Sequence, residues 1–282
     1  MSYIILSILL FSFNNVLWKK NLKGVNTFFL ISFRGFVNCV VGLFLAFLFL
    51  KSFPNSNDFL KITLGSILGV TGLICMLTVI KKHALQWLGI YNLLGVLITY
   101  LHLYVFENFT KTPSLSGLFF IILGYVSYIV FNYKKTKRLN LKAHGLLLLM
   151  IICFSYASII HWKNLTNNIP PIFIIVNQEL VVFIVSFSLL FLKSKKEISL
   201  GNYKMNFIKV LIMSVLVIVA MYFSFIGIKI TDPFLAALLF LASPLTTILF
   251  AAIFLKEKIS FYDTLSILSI CLGAFLIHLQ TK

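Results

Sequence analysis

Two charges lie deep inside apolar stretches of the chain. Arg34 sits eight residues into the apolar run at 26–50, and Glu179 is the one acid of the chain's seven that falls well inside such a run. A guanidinium or carboxylate at that depth costs at least about 2.5 kcal/mol unless it faces a cavity or a partner. The pair therefore reads in one of two ways. It is a structural ion pair that locks parts of the chain together, or Arg34 holds a substrate while Glu179 carries a proton.

Amides and rings accompany these charges inside other apolar runs. Asn14 and Asn15, Asn177 and Gln178, Tyr91 and Asn92, and Tyr156 are expected to line a substrate site. Buried amides need hydrogen-bond partners, and a polar ligand is one source of them. Ordinary contacts between helices, worth well under about 2 kcal/mol each, are the rival reading for Asn14 and Asn15. Tyr100, His102 and His161 join the vestibule candidates, although a lone histidine is more often a hydrogen-bonded core residue than a ligand. Trp18, Lys19, Trp162 and Lys163 fit interfacial anchors, because aromatic and snorkelling basic side chains favour that depth. Pro244, in mid-run, removes a backbone donor and bends its helix, as a hinge or as a static kink.

Other chemistries lack residues. There is no His-Glu-x-x-His, no glycine-rich phosphate loop ending in Lys-Ser, and no Gly-x-Ser-x-Gly, so no enzyme, metal or cofactor is expected. Cys39, Cys75, Cys153 and Cys271 fall inside apolar runs without paired spacing, and read as small apolar core residues rather than disulfides or zinc ligands.

The elements that position these residues must lie in lipid. Of 282 residues 60% are hydrophobic and 11% charged, with a mean hydropathy of +1.03. Soluble domains average about 45–50% apolar and 25% charged. The net charge of +17 sits in short connections between apolar runs, which suits lipid headgroups and forms no basic groove for nucleic acid. The first residues turn apolar at once, without a basic leader, so the first run is expected to be retained.

Crossing hydrocarbon takes roughly 20 helical residues. Ten runs near that length lie at 3–18, 26–50, 59–80, 86–106, 114–133, 143–162, 170–192, 207–228, 232–255 and 261–279. Pro113-Ser114, Pro170-Pro171, Asp232-Pro233 and Ser260-x-x-Asp263 mark first turns. Odd-numbered connections carry 17 Lys or Arg, against 6 in the even ones and the C-terminus. A missing or surplus helix would scramble that alternation. By the positive-inside rule it puts both termini outside.

The two halves repeat. Phe11-Ser12-Phe13 with Lys20-Asn21-Leu22 matches Phe154-Ser155-Tyr156 with Lys163-Asn164-Leu165 at an offset of 143, and Glu107 and Gly124 have counterparts in Glu257 and Gly273. Arg34 falls opposite Asn177 without gaps, or opposite Glu179 if the Pro170-Pro171 connection carries two extra residues. An odd number of spans per copy turns the second copy upside down. The expected fold is all-α and integral to the membrane, with ten transmembrane helices as two inverted five-helix repeats, 1–138 and 139–282. Such repeats place a substrate site at the midplane between them. Gly65-x-x-x-Gly69 with Gly72, and Ser269-x-x-x-Gly273, are packing faces that could also slide.

At this point the chain resembles the ten-helix EamA-type members of the drug/metabolite transporter superfamily. The resemblance rests on Ala242-Ser243-Pro244-Leu245, on Phe254-Leu255-Lys256-Glu257-Lys258-Ile259-Ser260 and on Gly273-Ala274-Phe275-Leu276-Ile277. Asn14 or Asn15 with Lys19, followed by Arg34, is similar to the family's opening. In the fourth run Asn92 and Gly95 stand where a proline would match Pro244. The resemblance implies a secondary transporter that moves a small polar or amphipathic metabolite, an amino acid or related compound, by alternating access. It also implies export, a bacterial inner membrane location and cytoplasmic termini, the opposite sidedness to the lysine tally. The small multidrug relatives carry a coupling carboxylate in the first helix, where this chain has none. That leaves Glu179 for a proton, or exchange of one substrate for another. The rival class is a non-transporting membrane protein, either a lipid-handling enzyme or a structural subunit.

Overall fold

The computed structural model describes residues 1–21, 26–49, 56–81, 86–108, 115–133, 140–193, 207–255 and 261–280. These form helices α1 (Ser2–Asn21), α2 (Thr27–Phe49), α3 (Ser56–Ile80), α4 (Gln86–Phe106), α5 (Leu115–Tyr133), α6 (Leu141–Thr166), α7 (Pro171–Lys193), α8 (Phe207–Ile230), α9 (Pro233–Phe240), α10 (Ser243–Leu255) and α11 (Phe261–Gln280). No strand occurs among the described residues. Pro113-Ser114, Glu257, Ser260 and most connection lysines lie outside them, as do the side chains of Pro244, Asp263 and Cys271.

Helices win here because lipid offers no partner for a backbone amide, so each apolar run must close its own hydrogen bonds. Their ends follow local chemistry. Asp232 Oδ1 accepts from the Leu235 amide at 2.7 Å ahead of Pro233, and Asn140 Oδ1 accepts from the Ala143 amide at 2.9 Å. Asn168 takes φ 61° just past α6, where the Ile169 amide returns to the Asn164 carbonyl at 3.1 Å. Seven stretches are long and apolar enough to cross a membrane, namely α1, α2, α3, α6, α7, α8 and the joined α9–α10 segment Pro233–Phe254. Shorter apolar stretches, Leu94–Phe106 and Leu115–Ser127, lie in α4 and α5. The outer surface is apolar as well, with Phe44, Phe47, Leu60 and Leu115 all exposed. This is a multi-pass membrane protein.

The ninth run forms one candidate span, Pro233–Phe254, with the interruption that Pro244 leads one to expect: α9 and α10 meet at Leu241 and Ala242, whose amides bond tightly back to Leu238 and Leu239 at 3.2 and 3.0 Å. The break lies just before Pro244, which has no amide to donate to the carbonyl four residues earlier.

Helix pairing has a regular pattern. α2 packs on α7, α5 on α11, α3 on α6, α1 on α8, α3 on α7, α2 on α8, α4 on α6, and α1 on α9 and α10. With α9–α10 counted as one, exchanging the first five helices for the last five maps this set onto itself. Close approaches give the directions. A Cβ on Gly35 would meet the Phe183 backbone at 3.0 Å, and one on Gly42 would meet Val176 at 3.0 Å, so α2 and α7 run antiparallel. Gly124 faces Ser269, Gly273 faces Gly117 and Ile121, and Ser269 Oγ donates to the Phe120 carbonyl at 2.8 Å, so α5 and α11 are antiparallel too. The α3 glycines receive side chains from α6 and α7: His161 lies on Gly65, Gln178 on Gly69 and Phe154 on Gly72. Cys39, Cys75 and Cys153 are buried free thiols.

The same substitution should act oppositely at two glycines. An added Cβ at Gly273 would sit 2.6 Å from the Gly117 carbonyl oxygen, which is backbone and cannot turn aside, whereas one at Gly145 meets nothing within 4 Å. Gly273→Ala is expected to cost about 1–3 kcal/mol by prying α5 from α11. Gly145→Ala should be neutral or stabilising by up to about 1 kcal/mol. Thermal unfolding of the detergent-solubilised protein reads both.

Candidate functional site

A cavity of about 370 Å³ lies inside the bundle, lined from α1, α2, α3, α4, α6, α7, α8, α9 and α10. Its depth follows from the helix starts. At the rise of an α-helix, Arg34 lies about 10 Å beyond the start of α2 and Glu179 about 12 Å beyond the start of α7. Those helices are antiparallel, so the two side chains approach from opposite ends and meet near the middle.

Arg34 Nη2 donates to Glu179 Oε2 at 3.1 Å and Oε1 at 3.3 Å. Both residues are buried, 4% and 1% exposed, yet both line the cavity. Of the two alignments left open by the sequence, this geometry brings Glu179, not Asn177, to Arg34. The contact is lopsided. Both carboxylate oxygens share one guanidinium nitrogen, and Arg34 Nε holds no hydrogen bond. The guanidinium carbon lies 5.3 Å from the centre of the Trp18 ring, where the ring's negative face attracts it. Trp18 is thus buried rather than an interfacial anchor, because its indole covers the charge.

Most of the remaining lining comes in matched pairs. On α1 and α6, Phe11, Asn14, Asn15 and Trp18 face the cavity, and so do Phe154, Ala157, Ser158 and His161, each 143 residues later. On α3 and α8 the pairs Gly69/Val217, Leu73/Met221 and Met76/Ser224 are 148 apart, and from α4 to α9–α10 the pairs Asn92/Ala236, Val96/Phe240 and Thr99/Ser243 are 144 apart. Arg34 and Glu179 form such a pair at 145. The cradle repeats while its chemistry does not.

Of the residues expected at a site, Asn14, Asn15, Arg34, Asn92, Gln178 and Glu179 line the cavity. Three others lie elsewhere. The Tyr91 hydroxyl bonds His144 Nδ1 at 2.6 Å, joining α4 to the start of α6. Asn177 accepts from Ser66 Oγ at 2.6 Å and donates to Thr63 Oγ1 at 3.0 Å, which fastens α7 to α3. Tyr156 is half-exposed, edge-on to His102 at 5.4 Å. Successive helical residues turn by about 100°, so Tyr156 points away from the face that carries Phe154, Ser158 and His161. Lys163 pairs with Glu107 across the ends of α6 and α4. Pro244 is the second residue of α10, directly after the lining residue Ser243.

His161 enters more fully than expected. It is buried on Gly65 and tilted on Phe225 at 5.3 Å, and neither ring nitrogen has a hydrogen-bond partner. Asn14 Oδ1 and Gln178 Oε1 also lack partners. Polar atoms of lining residues that bond nothing within the protein are the ones a bound molecule engages. Ser155, Ser158, Thr99, Ser224 and Ser243 were not singled out. The offset of 143 already pointed to Ser158 and His161, since it maps Asn15 and Trp18 onto them. Among the described residues no three His, Cys, Asp or Glu side chains gather as a metal site.

Cutting one side of the ion pair should hurt more than removing both. Arg34→Met or Glu179→Leu alone strands a buried charge and should cost about 3–5 kcal/mol. The double variant should recover most of that loss. A double-mutant cycle on thermal unfolding in detergent measures the coupling, and additive losses would contradict it.

No curated protein matches the chain in sequence. Twenty-eight solved chains match it in structure. One of them, a crystal structure of a protein, superposes with a TM-score of 0.74 at 14% identity, covering 99% of this chain and 99% of that one, a likeness of fold alone. The model of the EamA-like transporter family matches residues 143–279, which contain Ser158, His161, Glu179 and Pro244. Over that second half, the chain is similar to the EamA-like transporters of the drug/metabolite transporter superfamily.

Proposed function

We propose that the chain is a secondary transporter that carries a small polar or amphipathic metabolite, such as an amino acid or related compound, across a bacterial inner membrane by alternating access. The observation that carries this reading is the mid-depth cavity, to which both halves contribute at near-constant offsets. Two inverted units, 1–138 and 139–282, account for it. Equivalent spans that pack on each other, α2 with α7 and α5 with α11, then have to run antiparallel, as their close contacts do. In this reading α4, α5 and α11, with 21, 19 and 20 residues, join the seven longer stretches to make ten spans.

The cavity's composition suits the substrate class. Phe11, Leu73, Phe154, Met221 and Phe225 receive an apolar body, while Asn14, Asn15, Asn92, Gln178, Arg34 and Glu179 receive polar groups. Rocking of one half against the other, with the break before Pro244 as a hinge, opens the cavity to each side in turn, and export is the proposed net direction. Glu179 is the carboxylate available for a proton; exchange of one substrate for another is the alternative coupling.

Metabolite profiles of cells with and without the gene identify the cargo, and flux into proteoliposomes tests transport. Asn92→Phe fills the cavity from α4 and should bring flux down to that of empty liposomes while the unfolding temperature holds. Equal flux from wild type and Asn92→Phe, or none from either, would overturn the reading.

A further inference from the structure

The ion pair in the cavity is built so that it can be exchanged. Glu179 occupies one nitrogen of Arg34, Nε stays without a partner, and Trp18 holds the guanidinium from another side, so Arg34 keeps its place when Glu179 lets go. Building on the transporter reading, we infer that Glu179 is an internal stand-in for the ligand's carboxylate: a small monocarboxylate with an apolar body replaces it on Arg34, and Glu179 takes up one proton from the aqueous phase in the same event.

Charge balance requires the proton. Arg34 and Glu179 sum to zero, and a second ionised carboxylate would leave a net negative charge in a site walled by Phe11, Leu73, Phe154 and Val182. Burying an uncompensated charge costs several kcal/mol, so the neutral outcome is one guanidinium, one ligand carboxylate and one protonated Glu179. The surroundings offer little else to titrate. Among the described residues, α2 brings Cys39 near Glu179 and α6 brings His161 to the cavity. α1, α3, α4, α8, α9 and α10 present no charged side chain to it. Once freed and protonated, Glu179 has an O–H to donate, and the unpaired Oε1 of neighbouring Gln178 is an acceptor on the same wall. The exchange also unties α2 from α7, one of the pairings between the halves, so binding and loosening become one step.

Phenylacetate is the probe, phenylacetamide its uncharged match, and Trp18, stacked on Arg34, supplies a fluorescence signal in the full-length detergent-solubilised protein. Binding of phenylacetate should consume one proton per ligand in weakly buffered solution. Its Kd should rise about tenfold per pH unit while Glu179 is ionised in the free protein. Phenylacetamide should bind more weakly and without pH dependence. Glu179→Gln should bind phenylacetate with no proton uptake and a flat pH profile. A wild-type Kd independent of pH overturns the exchange, as does equal binding of acid and amide, or a slope that persists in Glu179→Gln. The wild-type measurements stand even if that variant does not fold. A protein that moves its metabolite in the flux assay but binds phenylacetate without protons refutes the exchange and leaves transport standing. One with proton-linked binding and no flux does the reverse.

Discussion

A guanidinium and a carboxylate buried at mid-depth, each the only nearby compensation for the other's charge among the described residues, set the terms for the rest of the molecule. Neither can sit in hydrocarbon alone. Because Arg34 is on α2 and Glu179 on α7, their 3.1 Å contact fixes both the separation and the relative height of those helices. Gly35 makes it reachable, since a side chain there would hold the α7 backbone away, and at Gly42 a Cβ would press on the Val176 side chain. The other helices arrange themselves around this central pair: α3 and α8 flank it, α1 and α6 lie beside them, and α4 and α9–α10 complete the wall.

Around that axis the molecule combines a repeated frame with an unrepeated lining. Frame positions recur at offsets of 143 to 148, and apolar members such as Phe11 and Phe154 keep their character. Polar members diverge: Trp18 is matched by His161, Asn14 by Ala157, Asn92 by Ala236 and Arg34 by Glu179. Glycines mark where helices approach most closely, and they serve two ends. On α3 they make room for His161, Gln178 and Phe154 at the cavity wall, while on α5 and α11 they let two backbones touch far from it.

Much of the helical layout was legible because it depends on short-range physics. An apolar run of about 20 residues in lipid has to be a helix, and Asp232-Pro233, Pro170-Pro171 and Asn140 act on backbone groups within a turn of themselves. The ninth run is interrupted beside Pro244, whose missing donor already marked a bend there. The cavity lining was half legible: polarity inside an apolar run pointed to Arg34, Glu179, Asn14, Asn15, Asn92 and Gln178, but equally to Tyr91, Tyr156 and Asn177, which bond or face elsewhere. The helical turn alone could have separated Tyr156 from Ser158. It could not have told Asn177 from Gln178, since choosing between adjacent faces of α7 requires knowing that α3 offers Ser66 and Thr63 on one side.

Alone, the amino-acid order determined a helical membrane chain with doubled internal structure and one deeply set charge of each sign, because hydropathy, spacing and likeness between segments are properties of a string. Tertiary structure decided that Arg34 meets Glu179 rather than Asn177, that Trp18 turns inward to cover the guanidinium, and that His161 reaches the cavity. Those outcomes depend on which helix lies beside which and at what height, and residues 145 apart come within 3.1 Å only after the intervening chain has packed.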